Sequence, residues 1–272
     1  WKSLDKVTAT TFLPGDTILL KSGSVWNGEW LWPKGSGTAD APIKIDKYGG
    51  DALPVINGMG IDRGMNYSGA VHLRNQEYWE IRNLEVTNDD DFDVDIDLSR
   101  PQGDNSWSSQ AETRNGILII ADGDLLNDGD DGIFDHIYIE NCYVHDVDGP
   151  NDWNDTFTGG IIYNVVGTKI RPNTSFRDIR IAYNTIRKVD LLGITGFVQM
   201  AKSGYQDDVD TYNLWMEDIY IGHNYIEDVA QGGIDLCDAR NAVVEYNVVD
   251  GFLKRYPNFR PTVALYPWKC EN

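Results

Sequence analysis

The stretch that decides the fold is residues 219–229, "IYIGHNYIEDV", in which apolar and polar residues alternate around a central asparagine, Asn224. Four similar strings align with it without gaps: "WEIRNLEVTN" from Trp79, "IYIENCYVHDV" from Ile137, "IRIAYNTIRKV" from Ile179 and "AVVEYNVVDG" from Ala242. Apolar residues recur at the first, third and eighth positions. Because alternation of period two is typical of β-strands, each string predicts a strand, a bend at its sixth position and a second short strand.

A further short strand follows most of these strings, and it usually opens with glycine. The segments are "GILII" from Gly116, "GIIYN" from Gly160, "GITGF" from Gly193 and "GIDLC" from Gly233, and "TVALY" from Thr262 begins one more. Repeats of two or three short strands without helical patterns exclude βαβ units and helical solenoids. The sequence therefore predicts an all-β chain folded as coils of a parallel β-helix, with long polar loops between the coils.

The asparagine at the bend needs a physical reason, because a buried amide is costly when its donors and acceptors are unpaired. In a parallel β-helix, equivalent residues of successive coils lie about 4.8 Å apart. Asn184, Asn224 and Asn247 are therefore predicted to hydrogen-bond to one another and to the bend as an internal ladder. Leu84 and Cys142 continue the column in apolar form. This predicts a structural role for the column.

The amino-acid composition limits which partners the protein can bind. The 272 residues carry a net charge of −20, which repels nucleic acid and anionic membranes. No apolar run approaches the roughly 18 residues that cross a bilayer. Three cysteines without a CxxC pair indicate neither a disulfide scaffold nor a thiolate metal site, although a Cys237–Cys270 bridge stays open. We predict one domain over residues 1–272, with an N-terminal cap over about residues 1–30 and coils over about 40–272.

Several strings also carry a family resemblance. They are "FLPGDTILLKSGSVWNG", "GSGTADAPIKIDKYG", "PVINGMG" and "YWEIRNLEVTN". They resemble the N-terminal half of bacterial right-handed parallel β-helix carbohydrate-active enzymes of the pectate-lyase-like superfold. The chain is most similar to β-helix glycoside hydrolases that include α-L-fucosidases and xylanases, and more distantly to β-helix polysaccharide lyases.

The resemblance implies a right-handed solenoid that is incomplete at both ends of this chain. It also implies a secreted or extracellular bacterial protein that is monomeric, binds a polysaccharide or oligosaccharide and requires no cofactor. Two acidic runs, "DDDFDVDID" from Asp89 and "NDGDDGIFD" from Asn127, are interpreted as solvated loops or as sites for a structural Ca²⁺. Gly232 stands where the family often has an aspartate.

Asp235 is the main catalytic candidate. Ile234 and Leu236 are predicted to point inward, so Asp235 points outward, and Asp238 is predicted to lie in the turn that follows. The outward neighbours of Asp235 in other coils are predicted to be Ile162, Thr195 and Ala264, so no column of solvated charge explains the carboxylate.

Glycoside hydrolysis uses two carboxyl groups, about 5 to 5.5 Å apart for retention and about 6.5 to 9.5 Å apart for inversion. Neighbouring coils offer both separations, at about 4.8 Å and about 9.6 Å. Asp238 and a loop aspartate are predicted partners of Asp235, with Asp208 favoured among the loop residues Asp190, Asp207, Asp208 and Asp210. Together with the family resemblance, this makes the leading function a glycoside hydrolase that acts on a plant or microbial polysaccharide by an inverting two-carboxylate mechanism.

Two other functions fit the same fold. A polysaccharide lyase would need a base, for which His145, Arg240, Lys202 and Lys269 are candidates. A non-catalytic glycan-binding protein would use loop aromatics alone, because aromatic rings stack on sugar faces. The predicted substrate-binding residues are His145, Trp153, Tyr205, Arg240, Trp268 and Lys269.

Overall fold

A computed structural model describes residues 2–60, 68–89, 113–127, 129–149, 158–167, 174–200, 214–252 and 263–271. Within these ranges the regular structure is nearly all β-strand. The helical segments described are one turn of α-helix, α1 (Asp5–Thr8), and a 3-10 turn at Gly123–Leu125. α1 lies within about residues 1–30, the segment predicted as the N-terminal cap. No helix in the described ranges has both the length and the apolar character to cross a membrane.

The described strands form a 13-stranded sheet and a 7-stranded sheet of parallel strands. The larger sheet contains two runs of strands, here called stacks A and C, which are joined where Met216 and Glu217 pair with Ala239 and Arg240. The smaller sheet is here called stack B. Stack A contains β1 (Thr17–Lys21), β3 (Ile43–Tyr48), β6 (Trp79–Arg82), β9 (Ile133–Glu140), β12 (Ser175–Ala182), β15 (Met216–Gly222) and β18 (Val243–Glu245). Stack B contains β2 (Val25–Asn27), β4 (Val55–Asn57), β7 (Glu85–Asn88), β10 (Tyr143–Val147), β13 (Thr185–Val189), β16 (Tyr225–Val229) and β19 (Val248–Phe252). Stack C contains β5 (Ser68–Arg74), β8 (Arg114–Asp122), β11 (Gly159–Gly167), β14 (Leu192–Met200), β17 (Gly232–Arg240) and β20 (Val263–Glu271).

The register of stack A confirms the alignment of the repeats. Ile137 pairs with Ile179, and Ile179 pairs with Ile219, so the first positions of successive strings lie side by side. Each of these isoleucines is buried in one main apolar core. The apolar positions of the strings therefore form continuous stacks through the interior.

The asparagine ladder is present where the sequence predicts it. Asn224 Oδ1 accepts from the backbone N–H of Asn184 at 3.0 Å, and Asn247 Oδ1 accepts from that of Asn224 at 2.9 Å. Each side-chain amide also donates to a carbonyl in the preceding repeat, for example Asn224 Nδ2 to Ile181 O at 2.9 Å. At the apolar end, the Cys142 N–H donates to Asn184 Oδ1 at 2.9 Å. The bend therefore buries the amides of Asn184 and Asn224, and half-buries that of Asn247, with their hydrogen bonds made.

Glycine opens the stack C strands for a packing reason. A Cβ added to Gly116 would lie 2.3 Å from Val144 of stack B, and one added to Gly160 would lie 2.7 Å from Ile186. Real Cβ atoms do not approach other atoms so closely, because cores are packed at crystal-like density. The chain can turn from stack B into stack C this tightly only without a side chain at these positions.

Candidate functional site

The outer face of stack C carries the main candidate site. Alternate residues of its strands, such as Ile117 and Ile119, belong to the main core, whereas Leu118 and Ile120 belong to a separate apolar cluster. The second set therefore faces away from the core. Strand register places one outward residue from each strand in a column, here called the outer column: His72, Leu118, Ile162, Thr195, Asp235 and Tyr266.

The outer column confirms two predicted neighbours of Asp235 and corrects the third. Ile162 and Thr195 lie in it, but the partner of Asp235 on β20 is Tyr266 and not Ala264. The prediction was two residues out of register on that strand. "TVALY" lacks the opening glycine that fixes the alignment of the other stack C strands.

Asp235 lies in a slot that favours its neutral form. Its Oδ1 atom is buried and has no hydrogen-bond partner among the described residues. The same atom would be 2.4 Å from a Cβ added to Gly232, so the carboxyl group packs directly against the backbone of that glycine. Burial alone raises the pKa of Asp235 to about 7. A carboxyl group with this pKa can donate a proton at neutral pH.

Asp238 lies within β17 and not in a following turn, because the strand continues to Arg240 through a left-handed residue, with φ +51° at Asp238. Its Oδ1 lies 2.8 Å from Lys269 Nζ, and its Oδ2 accepts from the backbone N–H of Val198 at 3.1 Å. Burial raises the pKa of Asp238, and the bonds from Lys269 and Val198 act against that rise. Both carboxylate oxygens of Asp238 are therefore already bonded to other groups of the protein.

Replacing Lys269 tests this ion pair. Lys269→Met is expected to destabilise the protein by about 3 kcal/mol at pH 8, because it leaves the buried Asp238 carboxylate without its cation. The loss should be smaller at pH 5, where the carboxyl group can take up a proton instead. Urea unfolding followed by circular dichroism at the two pH values measures both effects.

The double variant Lys269→Met/Asp238→Asn is the control, since it removes both charges. It should recover most of the lost stability at pH 8. A loss of stability in Lys269→Met, relative to the wild type, that is the same at both pH values would contradict the role of the pair.

Other predicted site residues are engaged in contacts of their own. Arg240 pairs with Glu271 at 2.8 Å and lies over the Trp215 ring at 4.8 Å. Trp268 is 47% exposed on β20, and its ring stacks on Phe197 with centroids 5.8 Å apart. Trp268 therefore remains available to a ligand on the same face as Asp235.

His145 lies on β10 of stack B and not on stack C. Its Nδ1 is 2.5 Å from Asp146, and its Nε2 is 3.2 Å from Glu85. Asp190 is buried, and its Oδ2 accepts from the Gly149 N–H at 3.1 Å. The remaining candidates lie outside the described residues: Trp153, Lys202, Tyr205, Asp207, Asp208 and Asp210.

The structure adds polar groups that the sequence reasoning did not select as site residues. Asn164 and Thr195 lie on β11 and β14, and Asn164 Nδ2 and Thr195 Oγ1 are buried without a hydrogen-bond partner in the described part of the chain. Asn164 follows the outward Ile162 by two residues in "GIIYN". That spacing is the sequence signal that could have identified it as an outward polar residue.

The described ranges contain no group of three or more His, Cys, Asp or Glu side chains placed to hold a metal ion. Most of the acidic run from Asp89 lies outside these ranges. In the second run, Asp130 Oδ2 accepts from Asn127 N at 2.8 Å, which closes a turn. A structural Ca²⁺ in these loops stays a prediction. All three cysteines are free, so Cys237 and Cys270 form no bridge.

Comparison with known proteins places the chain beside carbohydrate-active enzymes. No family model matches it. The chain is 28% identical over 333 residues to a lacto-N-biosidase of Bifidobacterium longum subsp. longum, and the match covers 100% of this chain and 20% of that protein. The crystal structure of the GH136 lacto-N-biosidase from Eubacterium ramulus superposes with a TM-score of 0.75 for the native protein and 0.76 for the selenomethionine derivative.

Each of these superpositions has 25% sequence identity and covers 98% of this chain and 46% of the crystallised chain. The chain therefore spans less than half the length of the relatives that it matches. The similarities support the prediction of a glycoside hydrolase. They give no support to an α-L-fucosidase or a xylanase.

Proposed function

We propose that this chain carries the active-site region of a glycoside hydrolase that acts on an oligosaccharide in the manner of a lacto-N-biosidase. Similarity to lacto-N-biosidases along the whole chain supports the substrate class. The observation that carries the proposal is Asp235, an outward and largely buried carboxyl group whose pKa burial raises to about 7. Such a group is suited to protonate the oxygen of a glycosidic bond as it breaks.

The proposed reaction follows the inverting two-carboxylate scheme. Asp235, in its neutral form, gives its proton to the leaving oxygen while a second carboxylate removes a proton from the attacking water. We assign the second role to Asp208 in preference to Asp238, because Asp238 already binds Lys269 and the Val198 N–H. These steps use carboxyl groups and water alone.

We propose further that stacks A, B and C are the three faces of a right-handed parallel β-helix. The strand order supports this, since every third strand along most of the chain pairs in parallel. Parallel crossover connections are right-handed in nearly all proteins, which supports the hand. Secretion from a bacterium and a monomeric state are part of the same proposal and follow from the family resemblance.

For the lyase alternative, the described part of the chain contains no candidate base that matches the buried, outward carboxyl group of Asp235. Lys269 is paired with Asp238, Arg240 with Glu271, and His145 with Asp146, so each described candidate base already contacts a carboxylate.

Product analysis tests the proposed function. The purified protein is expected to release new reducing ends from a chromogenic lacto-N-bioside and from oligosaccharides that end in the same disaccharide. Proton NMR during the first turnovers should show a product of inverted anomeric configuration. Ultraviolet absorbance of an unsaturated uronate from a polyuronate would establish the lyase instead. Glycan binding without cleavage would favour a binding protein.

A further inference from the structure

Three polar groups without partners lie next to one another on the outer face of stack C. They are Asn164 Nδ2, Thr195 Oγ1 and Asp235 Oδ1, and each is buried with no hydrogen-bond partner within the described ranges. Thr195 pairs directly with Asp235, so their Cα atoms are about 4.8 Å apart. Asn164 pairs with Phe197, two residues beyond Thr195, and so lies on the same face one strand away.

The amide of Asn164 has a defined orientation. Its Oδ1 accepts from the backbone N–H of Phe197 at 3.0 Å, which fixes the position of the oxygen. Nδ2 is therefore the atom left without a partner, and it is a donor. Thr195 adds a hydroxyl group that both donates and accepts, and Asp235 adds a carboxyl group.

Buried polar atoms without partners are rare in folded proteins, because each costs about 1 to 3 kcal/mol. Three on adjacent strands therefore indicate that something else completes their hydrogen bonds. A donor, a hydroxyl and a carboxyl match the alternating donors and acceptors of a sugar ring. The stacked pair Phe197 and Trp268 flanks this set and offers the apolar surface that sugar faces contact.

We propose that Asn164, Thr195 and Asp235 form a polar subsite that binds hydroxyl or acetamido groups of the sugar at the cleaved bond, with Thr195 as a substrate-contacting residue. This inference rests on the proposed glycoside hydrolase function. The sugar enters from the β20 side, where Tyr266 and Trp268 are 38% and 47% exposed. Thr195 then hydrogen-bonds to the sugar ring at the glycosidic oxygen that Asp235 protonates, and Asn164 donates to a group farther along the sugar.

Thr195→Val provides a sharp test because valine has the same shape and lacks the hydroxyl group. We expect kcat/KM for the chromogenic lacto-N-bioside to fall about 10- to 100-fold, as for the loss of one or two substrate hydrogen bonds. The Tm should stay the same or rise, because a buried hydroxyl without a partner is replaced by a methyl group. Thr195→Ser keeps the hydroxyl group and should keep most of the activity.

Thr158→Val is the matched control. Thr158 Oγ1 is also buried without a hydrogen-bond partner in the part of the chain that the structure describes, but the residue precedes β11 and is not in the outer column. This variant should retain wild-type kcat/KM. Equal activity of Thr195→Val and the wild type, with hydrolysis intact in both, would overturn the subsite and leave the proposed function standing.

A binding measurement separates the two proposals. Calorimetric titration of the released disaccharide into the Asp235→Asn variant and into Asp235→Asn/Thr195→Val should show at least about tenfold weaker binding to the double variant. If binding depends on Thr195 but the wild-type protein hydrolyses none of the substrates, the subsite is supported and the hydrolase is refuted. Binding that is equal in both variants would refute the subsite.

Discussion

Asp235→Asn is expected to abolish hydrolysis and at the same time to stabilise the folded protein at pH 8. The amide cannot donate the acid proton, so kcat should fall by about 10²- to 10⁴-fold. The gain in stability arises because the wild-type carboxylate is ionised at pH 8 in a slot where its Oδ1 has no hydrogen-bond partner among the described residues. Asparagine fills the same volume without a charge.

The sign of the pH dependence follows from the raised pKa. Burial raises the pKa of Asp235 from its ordinary value of 3.8 to about 7. Below pH 4 the carboxyl group is protonated in both the folded and the unfolded chain, so it adds no pH dependence. Between pH 4 and 7 the unfolded chain has lost the proton and the folded chain holds it, so stability falls as the pH rises. Above pH 7 the folded protein is less stable by the full cost of ionising the buried carboxyl group.

Thermal unfolding of the two proteins between pH 4 and pH 8 measures this difference. The variant should be more stable at pH 8 by about 4 kcal/mol, and the two proteins should converge near pH 4. Wild-type activity should decline above about pH 7, because the acid form disappears. Asp250→Asn, a change on stack B, is the control and should alter neither activity nor the shape of the stability curve.

Retained activity in Asp235→Asn would remove Asp235 from the mechanism. A difference in stability that stays the same from pH 4 to pH 8 would show that folding does not shift the pKa of Asp235, which contradicts its buried slot.

Asn224→Ala is expected to give the largest loss of stability, about 3 to 5 kcal/mol. The substitution removes two acceptor contacts made to Asn184 and two donor contacts made to Ile181 O and Asn247, each at 2.9 to 3.0 Å. Of the groups that remain, those of Asn184 and Ile181 are buried away from water, whereas Asn247 is half-buried. Urea unfolding followed by circular dichroism should show a much lower midpoint for this variant.

Asn27→Ala is the matched control for the ladder. Asn27 accepts from Asn57 Nδ2 at 3.2 Å in an exposed asparagine pair, so water can replace the lost bond. Asn27→Ala should therefore lose no more than about 1 kcal/mol of folding stability. If both alanine variants are equally stable, the ladder does not hold the bend together.

The outer face shows where the sequence fell short. Alternation in "GIDLC" was sufficient to point Asp235 outward and to place it beside Thr195. The same reasoning could not find the slot over Gly232, because the backbone approaches the carboxyl group only when the strand is packed. It also misplaced Asp238, since a left-handed residue inside a strand leaves no local pattern.

The sequence by itself determined the strands, their alignment and the asparagine ladder, because these depend on a period of two and on residues that recur at fixed positions. It also determined that glycine opens the stack C strands. Only the tertiary structure decided why: the turn from stack B leaves no room for a Cβ at Gly116 or Gly160. The tertiary structure likewise decided the pairing of β20, the ion pair of Asp238 and the raised pKa of Asp235. These depend on which atoms from strands far apart in the sequence come together and exclude water, and alternation along one strand does not encode that.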